Sequence, residues 1–185
     1  MKISFCRALL TAVILACVIS SAFMSAGCSG GAVADPFRDF SGDISAQCSA
    51  NVQGAISKIV FSRVKGEIKA EFFQPKTLEG VSLCKKEGGY SIGYGGFYVD
   101  IGESAALMLN LCEEVFAPHY SEMTVIRSEE RDGEKLTVIE SGGFIYHFSK
   151  DGSPLSISGV FDGRQFEITL DSIAPAVAEN GENER

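Results

Sequence analysis

The chain has 185 residues, with 24 acidic against 16 basic side chains, a formal charge of −8 and 45% hydrophobic residues. That length suits one domain of ordinary size, and the acidity argues against a nucleic-acid partner, which needs clustered Lys and Arg to neutralise phosphates. The hydrophobic fraction argues against disorder outside the ends, and six cysteines in no paired spacing argue against a disulfide scaffold or a zinc site.

Residues 1–27 read as an export signal: Lys2 and Arg7 supply the positive start, Ala8 to Met24 is apolar without a charge, and the small residues Ser25, Ala26 and Gly27 precede Cys28. This small-small-Cys ending resembles the lipobox of bacterial lipoproteins. The resemblance implies diacylglyceration of the Cys28 thiol and a lipid anchor on the extracytoplasmic face of a membrane. An ordinary signal peptide and an uncleaved single-span anchor fit the same apolar run. Residues 28–36 form a lipidated Cys and a flexible tether, since Ser29 to Pro36 has no core-forming pattern. Loss of Lys2 and Arg7 would take the charge to about −10, so the lipid rather than electrostatics would hold the protein at the membrane.

From Asp39 onward, period-two alternation dominates. Phe40, Gly42, Ile44, Ala46 and Cys48 form one face of a first strand, Ile68, Ala70 and Phe72 of another, and Phe166, Ile168 and Leu170 of a late one. Asp132-Gly133, Asp151-Gly152 and Asp162-Gly163 read as two-residue hairpin turns, with Lys65-Gly66, Gly88-Gly89, Gly95-Gly96 and Gly142-Gly143 as further turns. The spacing predicts ten or eleven short strands, mostly in a meander. One helix interrupts them over Ser104 to Phe116, with Ser104 as N-cap and Pro118 as its stop. It is apolar nearly all round and therefore predicted to lie on the apolar face of the sheet.

The expected fold is mainly β, a strongly curved antiparallel half-barrel over residues 37–173 with one central helix covering its concave face. The acidic tail 174–185 has little to bury and is expected to be disordered. The order of features is a Cys-ended signal, a tether, the opening Asp39-Phe40-Ser41-Gly42-Asp43-Ile44, then the Phe73 to Val81 segment, Tyr-rich strands and a central helix. The chain closes with Asp151 to Ile157 and a last hairpin. This resembles small lipoproteins of clostridial bacteria related to the LolA and LppX lipoprotein-carrier fold. The resemblance implies a half-barrel closed by helices over an apolar cavity used for acyl chains, and it transfers no individual functional residue.

Few residues suggest chemistry. Cys48, Cys84 and Cys112 cannot all pair within one chain; a Cys48–Cys84 or Cys84–Cys112 bridge fits an exported protein, but free buried thiols fit their apolar positions better. Cys112 with His119 lacks an orienting third group and a polar setting. His119 and His147 have no neighbour at metal-ligand spacing, and His147 reads as a surface strand residue. Glu113-Glu114 and Glu129-Glu130 read as solvated faces. The Gly-rich run Gly88 to Gly96 precedes no helix, so it reads as turns and not as a phosphate loop. No enzyme, cofactor or metal is expected.

The aromatic rows are the informative group. Tyr90, Ile92, Tyr94, Phe97 and Val99, then Phe144, Tyr146 and Phe148, with Met108 and Cys112 from the helix, form either a core or the lining of a lipid-accepting groove. The first expectation is therefore a non-enzymatic envelope lipoprotein that binds a lipid or other hydrophobic ligand in the concavity. The alternative is a structural lipoprotein with a self-filled core that docks an envelope protein.

Overall fold

The computed structural model describes residues 35–117, 123, 125–131 and 133–176, without the side chains of Val125 and Ile126. All of them fall in the second of two compact units, Ala34–Arg185. The signal, Cys28, most of the tether, His119, Asp132 and the tail beyond Ala176 lie outside the described residues.

The strands are β1 (Ile44–Val52), β2 (Ala55–Val64), β3 (Glu67–Gln74), β4 (Val81–Lys86), β5 (Gly89–Tyr94) and β6 (Phe97–Ile101), then β7 (Val125–Arg131), β8 (Glu134–Ser141), β9 (Phe144–Phe148), β10 (Pro154–Phe161) and β11 (Arg164–Pro175). They form one 11-stranded sheet in the order β6-β5-β4-β3-β2-β1-β11-β10-β9-β8-β7, every pair antiparallel. Two meanders meet where the first and last strands pair, from Ile44 opposite Pro175 to Val52 opposite Phe166. The sheet is open, with β6 and β7 as its edges, and an open sheet of this width relieves its twist by curling. The one α-helix among the described residues, α1 (Leu107–Val115), joins those two edges in sequence. It therefore crosses the hollow of a curved half-barrel, as the apolar periodicity predicts.

Turn chemistry accounts for the meander. Lys65-Gly66 and Asp162-Gly163 have positive φ at both positions, 52° and 82° in one, 50° and 71° in the other, which is the twist a two-residue hairpin needs. Gln53-Gly54 does the same with φ of 52° and 89°, although the pair has no Asp or Asn to announce it. Asp151-Gly152, expected as such a hairpin, lies instead in the loop 149–153, where Ser149 N–H donates to Ser153 O at 2.9 Å and Asp151 accepts from the Ser149 and Ser153 hydroxyls.

Two boundaries differ from expectation. Phe40 and Gly42 do not extend β1: Arg38–Phe40 is a 3₁₀ turn, and Gly42 has a φ of 75°. The turn swings Phe40 back into the core while Gly42 stays exposed, so neither burial nor backbone alternates until Ile44. The helix also begins later than Ser104, because Glu103–Ala105 forms a separate 3₁₀ turn and Ala106, without a side-chain cap, precedes α1. Ser104 lies inside that 3₁₀ turn and stays exposed. At the other end β11 continues through Ala174 and Pro175, held opposite Ser45 and Ile44, so the ordered domain extends past Ile173.

One glycine is dictated by packing. The Tyr98 ring of β6 lies across Gly93 of β5, where a Cβ would stand 2.6 Å from Tyr98 Cε1 and 2.8 Å from Ser82 Oγ. The ring covers the backbone that a larger residue would push away.

Candidate functional site

Strand directions alternate, so the β1–β2, β3–β4, β5–β6, β8–β9 and β10–β11 connections gather at one end of the half-barrel and the others at the opposite end. The two ends differ. At the end where β1 begins, Phe37, Phe40, Phe61, Phe116, Tyr146 and Phe148 are buried to 1% exposure or less. Phe61 stacks on Phe116 at 4.8 Å between centroids, and Phe37 meets Tyr146 edge-on at 5.0 Å. The Tyr146 hydroxyl donates to Val115 O at 3.1 Å, at the C-terminus of α1. Arg63 fastens the same region: its Nη2 donates to Phe40 O at 2.6 Å, its Nε to Gly42 O at 3.1 Å and its Nη1 to Phe116 O at 3.4 Å. This end is plugged by the chain's own aromatics.

The other end is open. A cavity of 400 Å³ lies between the first turns of α1 and the hairpin tips, lined by Val52, Ala55, Leu107, Met108, Leu111, Phe161 and Phe166, with Gln53 and Arg164 as its polar members. An apolar chamber with few polar groups is the usual form of a ligand site, and its volume falls within the common range of about 300–1,000 Å³. A larger hollow of 890 Å³ lies on the opposite face of the sheet, but it runs over Ser45, Ser62, Lys69, Glu71 and Asp100. It is the more polar of the two, although Val60, Val64, Ile68 and Tyr98 also line it, and Lys69 donates to Glu71 within it at 2.7 Å.

The residues expected to line a groove divide three ways. Phe144, Tyr146 and Phe148 are core: Phe144 meets Phe166, and Phe37, at the start of the expected domain, and Phe40, expected in a strand, fill the space in front of Tyr146 and Phe148. Met108 lines the cavity, whereas Cys112 is fully buried behind it in the core. Ile92, Tyr94, Phe97 and Val99 share the helix-facing side of the sheet with Leu83 and Val81, their cross-strand neighbours, but α1 does not reach them and Phe97 is 81% exposed. Tyr90 marks the boundary: Lys85 lies opposite it, places Nζ 5.5 Å above its ring and donates to both Glu113 carboxylate oxygens at 2.8 Å. That bond raises the Lys85 pKa and ties β4 to α1. Sequence reasoning missed Val52, Ala55 and Phe161 as site residues; they flank hairpin turns and continue the inward rows set by Ala50 and Ile157.

Catalytic groupings do not emerge from the other candidates. Cys48, Cys84 and Cys112 are free and buried, as favoured over a bridge. Burial first, and then the Asp171 charge, pushes the Cys48 thiol to about 12 from 9.0; burial, then Cys48, raises Cys112 well above 9.0. The protonated thiol is the unreactive form. His147 is half-buried and pairs through Nδ1 with the Ser156 hydroxyl at 3.2 Å. Glu129 pairs with Arg127 at 2.8 Å. Cys48 and Cys112 should resist iodoacetamide in the native protein at pH 8 and react once it is unfolded, as read by peptide mass mapping. Because the folded pKa values lie above the unfolded ones, their contribution to stability is full below about pH 9 and is lost as pH rises toward 12. Urea unfolding at pH 8 and pH 10 should therefore show the lower midpoint at pH 10; native labelling at the unfolded rate would contradict the burial.

No protein-family model and no curated protein matches the chain. Among solved structures it is similar to LprF from Mycobacterium bovis, at 13% identity over 79% of this chain and 93% of that one, with a TM-score of 0.43. It is also similar to the lipoprotein LppX from Mycobacterium tuberculosis, at 13% identity over 72% and 87%, with a TM-score of 0.41. A conserved protein from Thermus thermophilus aligns at 10% identity over 75% and 82%, with a TM-score of 0.45. At such scores the function of this chain has to be read from its own geometry.

Proposed function

We propose that this protein is a non-enzymatic binding protein of the cell envelope, held to the extracytoplasmic face of a membrane by a lipid on Cys28. In this reading it takes an acyl chain, or another slender apolar molecule, at the open end of its half-barrel. The observation that carries the reading is the 400 Å³ apolar cavity between α1 and the tips of β1–β2 and β10–β11. An alkyl chain entering it would lose water from its whole length, worth about 25 cal/mol per Å² before ordering costs. Arg164 at the mouth would meet the ligand's polar end.

A saturable titration of residues 29–185 with a fluorescent fatty acid tests this. Met108→Trp places a larger ring in the cavity at a half-buried site and should weaken uptake at least about tenfold while the thermal midpoint stays the same or rises. Absence of saturable uptake by the wild type, or unchanged uptake by a folded M108W variant, would overturn the reading. The alternative, a scaffold that docks an envelope protein, draws on the aromatic plug, since a hollow filled by its own side chains needs no ligand; it predicts the same negative results.

A further inference from the structure

The exposed large hydrophobic residues are not scattered. Ile56 stands beside the β1–β2 turn, Phe73 and Leu78 at the β3–β4 connection, and Val160 next to the β10–β11 turn. Ile92, Tyr94, Phe97, Tyr98 and Val99 surround the β5–β6 turn. Met123 precedes β7, whose first residue Val125 sits opposite Glu140 beside the β8–β9 turn. All of these positions lie at, or within three residues of, the connections on the open side, and among the described residues no exposed large hydrophobic stands beside a turn on the other. The plugged end instead shows Asp39, Lys65, Glu67, Lys86, Glu87 and Glu134 at its turns. Single exposed apolar residues are ordinary, whereas a collected set marks an interaction surface.

We propose that this rim docks onto a lipid bilayer, with the β5–β6 tip entering the interface first. The apolar residues stand on separate hairpins from both meanders, spread along one border of the sheet, an arrangement that suits a plane better than the single groove a peptide would need. From Ser91 to Val99 there is no charge, and the tip itself is bare backbone at Gly95 and Gly96. Phe and Tyr on such a tip match the acyl boundary and the headgroup layer respectively. Charges on the rim carry both signs, among them Lys76 and Arg164 against Glu79, Glu140 and Asp162, on a chain of net charge −8. Docking is therefore apolar and does not depend on anionic lipid.

The chain from Asp35 to Ile44 enters the domain at the plugged end, so the rim lies opposite that entry. Docking there does not require that the cavity bind anything. It would let an apolar molecule pass between bilayer and cavity without crossing water.

The chain has no Trp, so Phe97→Trp in residues 29–185 supplies a site-specific reporter. On phosphatidylcholine vesicles its emission should shift to the blue and be quenched by brominated acyl chains, equally at low and high salt. In vesicle sedimentation the double variant Tyr94→Ser/Phe97→Ser should partition at least about tenfold less than wild type, with an unchanged thermal midpoint because both side chains are exposed. Vesicle binding that survives the double substitution, or that appears only with anionic lipid, would overturn the proposal. So would a chain that ignores vesicles, whether it stays monomeric, pairs with a second copy through this rim or binds a protein there.

Discussion

Tyr146→Ala should cost about 3–5 kcal/mol of stability, the range for removing a large aromatic from a packed core. The reason lies in what converges on this side chain. Tyr146 is 1% exposed, meets Phe37 at 5.0 Å, Phe40 at 6.0 Å and Phe148 at 6.4 Å between centroids, and donates its hydroxyl to Val115 O. One ring therefore joins β9, the N-terminal 3₁₀ turn and the end of α1. Truncation leaves a cavity that three separate elements would have to close. Tyr146→Phe keeps the ring and strands one buried carbonyl, for which about 1–3 kcal/mol is the ordinary cost. Chemical denaturation of both variants separates ring from hydroxyl. A loss below about 1 kcal/mol for Tyr146→Ala would mean that the plugged end is not a packed core.

Arg63→Ala should cost about 2–3 kcal/mol, and it should act locally before it acts globally. The half-buried guanidinium reaches carbonyls of Phe40, Gly42 and Phe116 from the end of β2. Neither the 3₁₀ turn nor α1 is in the sheet, so this fork substitutes for ladder bonds in holding them down. Arg63→Lys keeps the charge but cannot serve three diverging acceptors, and it should fall between wild type and alanine. Native-state hydrogen exchange should show faster opening around Phe40 and Phe116 in Arg63→Ala, with β1 and β11 protected until global unfolding. Uniform acceleration across the sheet would contradict the local role.

The sheet was largely legible because most strands obey period-two alternation with glycine turns between them, and because α1 switches the period. What pattern could not resolve was coverage. Phe144, Tyr146 and Phe148 alternate in the same way as Tyr90, Ile92 and Tyr94, yet the first row is buried and the second runs out past the helix into solvent. The difference is made by Phe37 and Phe40, brought in by a 3₁₀ turn that carries no periodic signal, and by a helix of 9 residues too short to span both wings. The cavity was illegible for a related reason. Val52, Phe161 and Phe166 continue ordinary inward rows, and only the pairing of β1 with β11, a contact between the two ends of the domain, brings their hairpins together.

Whether the open end receives an apolar ligand is tested most directly by native mass spectrometry of purified residues 29–185. The expected result is a bound species of lipid mass that leaves on solvent extraction and returns when a fatty acid is added, in a stoichiometry of about one per chain. A bare mass that takes up neither added fatty acid nor phospholipid would contradict ligand binding, and the half-barrel would then be a self-filled scaffold.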